Sequence, residues 1–376
     1  MNKSAFLSGV EKTILELKHT TDSIRETAVY YSMALDADQI VEPLIAAFAA
    51  EGNATIRATM ARALGILKDR RAIEPLLLAV TTDRSPVVRH EAANALGELD
   101  GREEVVEPLI AVLSAPNEHK GNKMDVNVVS SIVFALRKLN DARAVEPLID
   151  ALERKDEQTR AVIALSLGSF GDIRAVEPLL NLLYDDEPLI RRAAACALGD
   201  LSDQRAVLPL IDALTDPDFE TRSGAIKSLG LLGDRRAIEP LCSLLQQDRI
   251  PYRRVFIIGA LDRLGATQAV RPLIALLQNS LEEEEVRAAS IETLGHLGDK
   301  SATPFLLNFV TDFVAGDANE LRWRAVVALG QLGDTRAIDR LSRYRTDPEP
   351  VMRMAVISAL RQLKTAQTAE LLPDHP

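Results

Sequence analysis

Residues 172–199 read DIRAVEPLLNLLYDDEPLIRRAAACALG, and this stretch decides the fold. Its first part, RAVEPLLNLLY, spaces valine and leucine at helical intervals. Pro178 falls in the first turn, where a missing N–H costs little. Asp185, Asp186 and Pro188 end this helix, A, and the acidic pair is placed to cap the next helix and meet its positive end. The second helix, B, runs through IRRAAACALG and closes on Gly199, a residue suited to a left-handed C-terminal cap. Arg191, at the opening of B, has counterparts at Arg25, Arg57, Arg89, Arg160, Arg222, Arg254, Arg287, Arg322 and Arg353, about 31 to 35 residues apart. One wide gap follows Arg89, and Val129 stands in the missing position. Pro43, Pro75, Pro108, Pro147, Pro209, Pro240, Pro272 and Pro304 recur in the same phase as Pro178. Two periodicities with one phase make the chain a tandem array of helix pairs.

Such an array is one elongated unit however long the chain, so the 376 residues are not divided by length into ordinary domains. Hydrophobic residues reach 47% while aromatics stay at 4%, a balance that suits small helices packed closely rather than a sheet core. The net charge of −11 offers no global attraction for a phosphate backbone, which argues against nucleic acid as a partner. Cys196 and Cys242 lie in different repeats without metal or disulfide spacing, consistent with a reducing compartment. No stretch approaches the roughly 18 apolar residues of a membrane span, so a soluble, cytoplasmic protein is expected.

Two further markers have structural roles. An acidic residue lies six positions before the arginine in Glu51/Arg57, Asp83/Arg89, Asp185/Arg191, Asp216/Arg222, Asp248/Arg254 and Asp347/Arg353. A ladder of carboxylate–guanidinium bonds joining successive loops is expected, since the arginine fork suits that geometry. The Asp-x-Arg of Asp69/Arg71, Asp141/Arg143, Asp172/Arg174, Asp203/Arg205, Asp234/Arg236 and Asp334/Arg336 sits between repeats, where each aspartate can cap the next helix A. Six copies of one pattern point to structure rather than to catalysis.

The repeat resembles the HEAT family, and its DxRAVEPL…ALG wording is similar to that of the phycobilin lyases of light-harvesting antennae. The resemblance implies an all-α fold, an α-solenoid (superhelix) of about eleven HEAT-like helix pairs spanning 1–376. Residues 1–33 form a degenerate N-terminal capping repeat, 34–337 the main repeats, and 338–376 a C-terminal capping repeat and tail. Residues 363–376 are expected to be a short cap or a frayed end. Long A-to-B loops at 114–127 and 312–319 either carry recognition or are tolerated drift. The acidic run at 282–285 is expected to cap the helix of Arg287 and stay solvated.

In HEAT arrays the B helices line a concave groove, so residues just after each recurrent arginine, and about five beyond it, become the candidate binding surface. Phe134, Leu165, Arg192, Lys227, Phe256, Arg263, Trp323 and Arg324 are the candidate partner-binding residues, aromatic and cationic anchors of the kind protein interfaces use. Thr59, His90, Glu91, Asn94, Val162, Cys196, Val255, Glu292, His296 and Met354 fall on the same face. Curvature that buries these side chains between neighbouring helices is the competing reading.

Recognisable catalytic chemistry is sparse. His90-Glu91 resembles the metal-binding pair of deoxyhypusine hydroxylase, a HEAT-type di-iron enzyme. That family needs several such pairs, and this chain has one pair and five histidines, so no metal site is expected. Cys196 reads as a small residue among alanines or as a thiol supported by Arg192, and no catalytic residue is assigned. The leading expectation is a protein-binding scaffold, with no cofactor required. The lyase resemblance implies a cyanobacterial role in phycobiliprotein maturation or turnover, with phycocyanobilin or another bilin as ligand. A phycobiliprotein subunit or a second lyase subunit would then be the partner. The alternative is a non-catalytic assembly adaptor or chaperone for photosystem or iron–sulfur protein maturation.

Overall fold

The computed structural model describes residues 9–99, 102–114, 126–153, 156–311 and 319–370, and every regular element among them is helical. The 22 α-helices alternate A and B, giving eleven pairs, and the contacts divide them between two compact units. In residues 1–201 the pairs are Gly9–Glu16 with Asp22–Ser32, Ala37–Ala50 with Ala54–Leu67, and Ile73–Thr82 with Pro86–Leu96. Arg102–Ser114 with Val126–Leu139, Val145–Ala151 with Glu157–Phe170, and Val176–Leu182 with Pro188–Leu201 follow. In residues 202–376 they are Val207–Asp212 with Phe219–Leu232, Ile238–Gln247 with Pro251–Arg263, and Val270–Gln278 with Glu284–Leu297. Thr303–Thr311 with Asn319–Leu332 and Ile338–Ser342 with Pro350–Glu370 complete that unit.

The last helix continues to Glu370, so the cap or frayed end expected from 363 begins within regular helix. Leu363, buried, explains the extension by anchoring one more turn. The long loops at 114–127 and 312–319 fall largely outside the described residues, as do 1–8 and 371–376.

The ladder of arginines is present, with a division of labour along each side chain. Arg57 donates through Nη1 to the Glu51 carbonyl of its own loop, and its Nε and Nη2 reach the Asp83 carboxylate of the next. Arg25 is paired with Glu51 and Arg160 with Asp185 in the same way within residues 1–201. In the second unit Arg254 pairs with Glu282 and Arg322 with Asp347. Glu51, Asp83, Asp185 and Asp347 therefore each lend the arginine six residues on a carbonyl, and their carboxylates serve the preceding repeat, whereas the Asp248 carboxylate turns to Arg253 of its own repeat. Glu282 is buried in this pairing, so this member of the acidic run is not a solvated cap. Its carboxylate fills the place that an aspartate takes in other repeats. The second marker pins the opposite edge: Asp172 accepts from the Arg174 backbone N–H, while Arg174 reaches back to the Ala142 carbonyl of the preceding repeat. Arg71 to Ala37 and Arg336 to Lys300 repeat the contact.

Glycine of the ALG triplet does not have the role expected of it. Helix B runs two residues past Gly199 to Leu201, and the left-handed positions fall later, at Gly171, Gly233, Gly265, Gly298 and Gly333, or at Lys68, Asn140 and Ser202. The ALG glycine is a close-approach residue instead: a methyl group on Gly168 would stand 2.6 Å from the Ala197 Cα of the next B helix. Gly65 meets Ala95, Gly97 meets Ala135, and Gly295 and Gly330 meet Ala328 and Ala359 in the same way. Within each unit, successive B helices consequently lie closer together than successive A helices.

Candidate protein-binding face

Four of the large apolar candidates on the B layer reach solvent. Phe134 is 43% exposed, Leu165 41%, Phe256 54% and Met354 72%. Arg192, Lys227, Arg263, Glu292 and His296 are also exposed, while Trp323, Arg324, Val162, Val255 and Cys196 are half-buried. Thr59 does not belong to the face: it is buried, and its hydroxyl donates to the Thr55 carbonyl. The second position after the recurrent arginine lies at the edge of the layer, where a short side chain is covered and a long one such as Phe256 reaches past its neighbours.

In residues 1–201 a cleft of about 570 Å³ opens above the helix Pro86–Leu96. Phe134 and Arg137 come from the following B helix, Ile66 and Arg62 from the preceding one, and Asn94 and Glu91 from the helix itself. The Arg137 guanidinium lies 4.9 Å from the centre of the Phe134 ring, a cation–π distance. Lys138 pairs with Glu98 at one end. Sequence reading found Phe134, Glu91 and Asn94 but missed Arg62, Ile66 and Arg137. A signal for Arg137 existed: it stands eight residues after Val129, the place that Gly65, Gly97, Gly168 and Gly230 take after their own arginines.

His90 is committed to structure. Its Nδ1 lies 2.5 Å from the Ser131 hydroxyl, and Ser131 also donates to the Asn127 carbonyl at 2.7 Å. With the hydroxyl proton directed there, Nδ1 carries the imidazole proton and Nε2 accepts from the Asn94 amide at 3.1 Å. The ring thus ties two B helices together with both nitrogens in use. Among the described residues, no three histidine, cysteine or acidic side chains are grouped as a metal site would require.

The second unit presents a different cluster. Arg324 lies 5.0 Å from the Trp323 ring centre and is bound by Glu292 and Glu320. It is therefore already neutralised, whereas Lys227 and Arg263 have no carboxylate partner among the described residues. His296 meets Asp262 at 3.0 Å, and Asp262, like Arg137, occupies a glycine position of the ladder. Cys242 is buried, and burial, with Glu239 nearby, pushes its thiol up to about 11, so it stays protonated and inert at neutral pH. Among the described residues no helix is long and apolar enough to cross a membrane.

Helix pairs stacked through glycine–alanine contacts and arginine links define an α-solenoid. The HEAT-repeat pattern matches residues 41–120, 122–196, 176–255, 238–315 and 309–375, and the chain belongs to the HEAT-repeat family. Comparison with curated proteins finds no match. Among solved structures, a mutant form of Kap121p is similar in fold, with a TM-score of 0.64 and 12% identity over 97% of this chain. The chain spans 46% of that protein. The CpcE–CpcF complex of phycocyanin lyase from a Nostoc species shares 22% identity over 70% of this chain and 97% of its own, with a TM-score of 0.38. Human deoxyhypusine hydroxylase in complex with glycerol gives the same identity and coverage with a TM-score of 0.33.

Proposed function

We propose that this chain is a scaffold that holds another protein against the B-helix face. The exposure of the two phenylalanines Phe134 and Phe256, each on a B helix of its own unit, carries the reading, because aromatic side chains left open on a regular face mark interaction surfaces. The exposed cations Lys227 and Arg263, on B helices of the unit that holds Phe256, supply polar contacts of the kind that interfaces place around an apolar centre. A finer proposal rests on the DxRAVEPL…ALG wording alone: the partner is a phycobiliprotein or a lyase subunit, and a bilin is held between them. Such work needs positioning more than acid–base machinery, since the thiol that takes the pigment belongs to the partner.

Replacing both Phe256 and Trp323 with alanine tests the coarser statement. Each truncated hot-spot aromatic costs about 2 kcal/mol, roughly thirtyfold in affinity. Capture of partner from native extract should be lost while helical circular dichroism is unchanged; undiminished capture would move the site elsewhere. Titration with phycocyanobilin, with and without an apo-phycobiliprotein, tests the finer one. A change in visible absorbance supports it, and none in either titration removes the pigment from the account.

A further inference from the structure

The cleft above Pro86–Leu96 carries a local excess of positive charge. The whole molecule is at −11, yet this cleft sets Arg62, Arg137 and Lys138 against Glu91 and Glu98. Lys138 and Glu98 cancel each other at one end. Arg62 and Arg137 have no carboxylate partner among the described residues, and they stand on opposite walls beside Ile66, 50% exposed, and Phe134. The recurrent arginines Arg25, Arg57 and Arg160 are consumed by carboxylates of the next repeat, whereas the Arg62 and Arg137 guanidinia stand unpaired with any described carboxylate beside an apolar wall. Arg137 also replaces the glycine by which B helices close on one another, so the position serves something other than close packing.

We propose that this cleft takes an acidic peptide segment of the partner, one large apolar residue flanked by carboxylates. The apolar side chain packs between Ile66 and Phe134, and the flanking carboxylates pair with Arg62 and Arg137 through their guanidinium forks. Glu91 on the floor disfavours a second acidic residue at the centre, and Asn94 is held by His90. Arg137 stacked on Phe134 joins both halves of the site, since a carboxylate that draws on the cation also meets the ring that grips the apolar neighbour. This inference rests on the protein-binding reading above and deepens it by naming the partner's chemistry.

Selection of a displayed random twelve-residue peptide library on the immobilised full chain tests it. Wild type should enrich peptides with Leu, Phe or Trp flanked by Asp or Glu. Synthetic copies of these should bind the Arg62→Gln/Arg137→Gln variant at least about tenfold more weakly and bind the Leu208→Ala variant, altered on an exposed A-helix position, unchanged. Added salt should weaken wild-type binding. Enrichment of basic or uncharged peptides, equal binding by the double arginine variant, or no enrichment at all would overturn the proposal. Partner capture by the native chain that persists in the double variant would overturn it too, and would leave the scaffold reading standing. Loss of capture only on Phe256→Ala/Trp323→Ala would place the partner on the other unit.

Discussion

Two glycines show how a single methyl group changes sign with its surroundings. In a helix interior, alanine is preferred to glycine by about 1 kcal/mol, so open space should make the substitution stabilising. Gly259 has nothing within 4 Å of a Cβ, and Gly259→Ala should gain about 0.5 to 1 kcal/mol. At Gly168 the same methyl would lie 2.6 Å from a backbone atom of the next helix, which cannot rotate away. Overpacking of that kind costs about 1 to 3 kcal/mol, more than the propensity returns, so Gly168→Ala should be destabilising. Urea unfolding midpoints of the two variants should move in opposite directions. A stabilised Gly168→Ala would mean that the B helices slide apart freely. Sequence alone marks both residues as glycine inside a helix. It does not say which faces a neighbour, because that depends on the crossing of two helices and not on either one.

At the scale of the element, the Asp-x-Arg corner is the smallest unit that joins repeats, and Asp334 is its most perturbed member. The Arg336 guanidinium beside it, opposed by burial and helped by the Thr303 hydroxyl at 2.7 Å and the Arg336 N–H, holds its carboxyl at about 2. A carboxyl depressed from 3.8 contributes stability that is fully present above about pH 4 and is lost as pH falls toward 2. Asp334→Asn keeps the cap acceptor and removes the charge. Stability of the variant, followed by urea titration, should therefore depend less on pH between 4 and 2 than that of wild type, and it should be lower at pH 7. Parallel curves would show that the corner carries no electrostatic stabilisation. The corner was legible in the sequence because its parts lie two residues apart. The ladder was legible in kind but not in partner: six-residue spacing brings arginine to a backbone carbonyl, and the carboxylate it meets comes from the next repeat, as Arg57 and Asp83 show.

For the whole molecule, periodicity exposed the fold almost completely, because every repeat restates the same local requirements. The candidate face was legible only where a residue breaks the repeat. Phe134 and Phe256 are visible as aromatics at repeat positions where most copies carry none, whereas Arg62 and Ile66 belong to the cleft through the approach of three helices. Binding on the B layer is the central claim, and a photo-crosslinking amino acid tests it most directly when placed at Phe256 on the B layer and, separately, at Leu208 on an A helix. Both positions are more than half exposed and lie in the same unit, so accessibility does not separate them. Illumination in native extract should join a discrete protein to the chain labelled at Phe256 and none to the chain labelled at Leu208. A crosslinked partner from Leu208, with none from Phe256, would contradict the account.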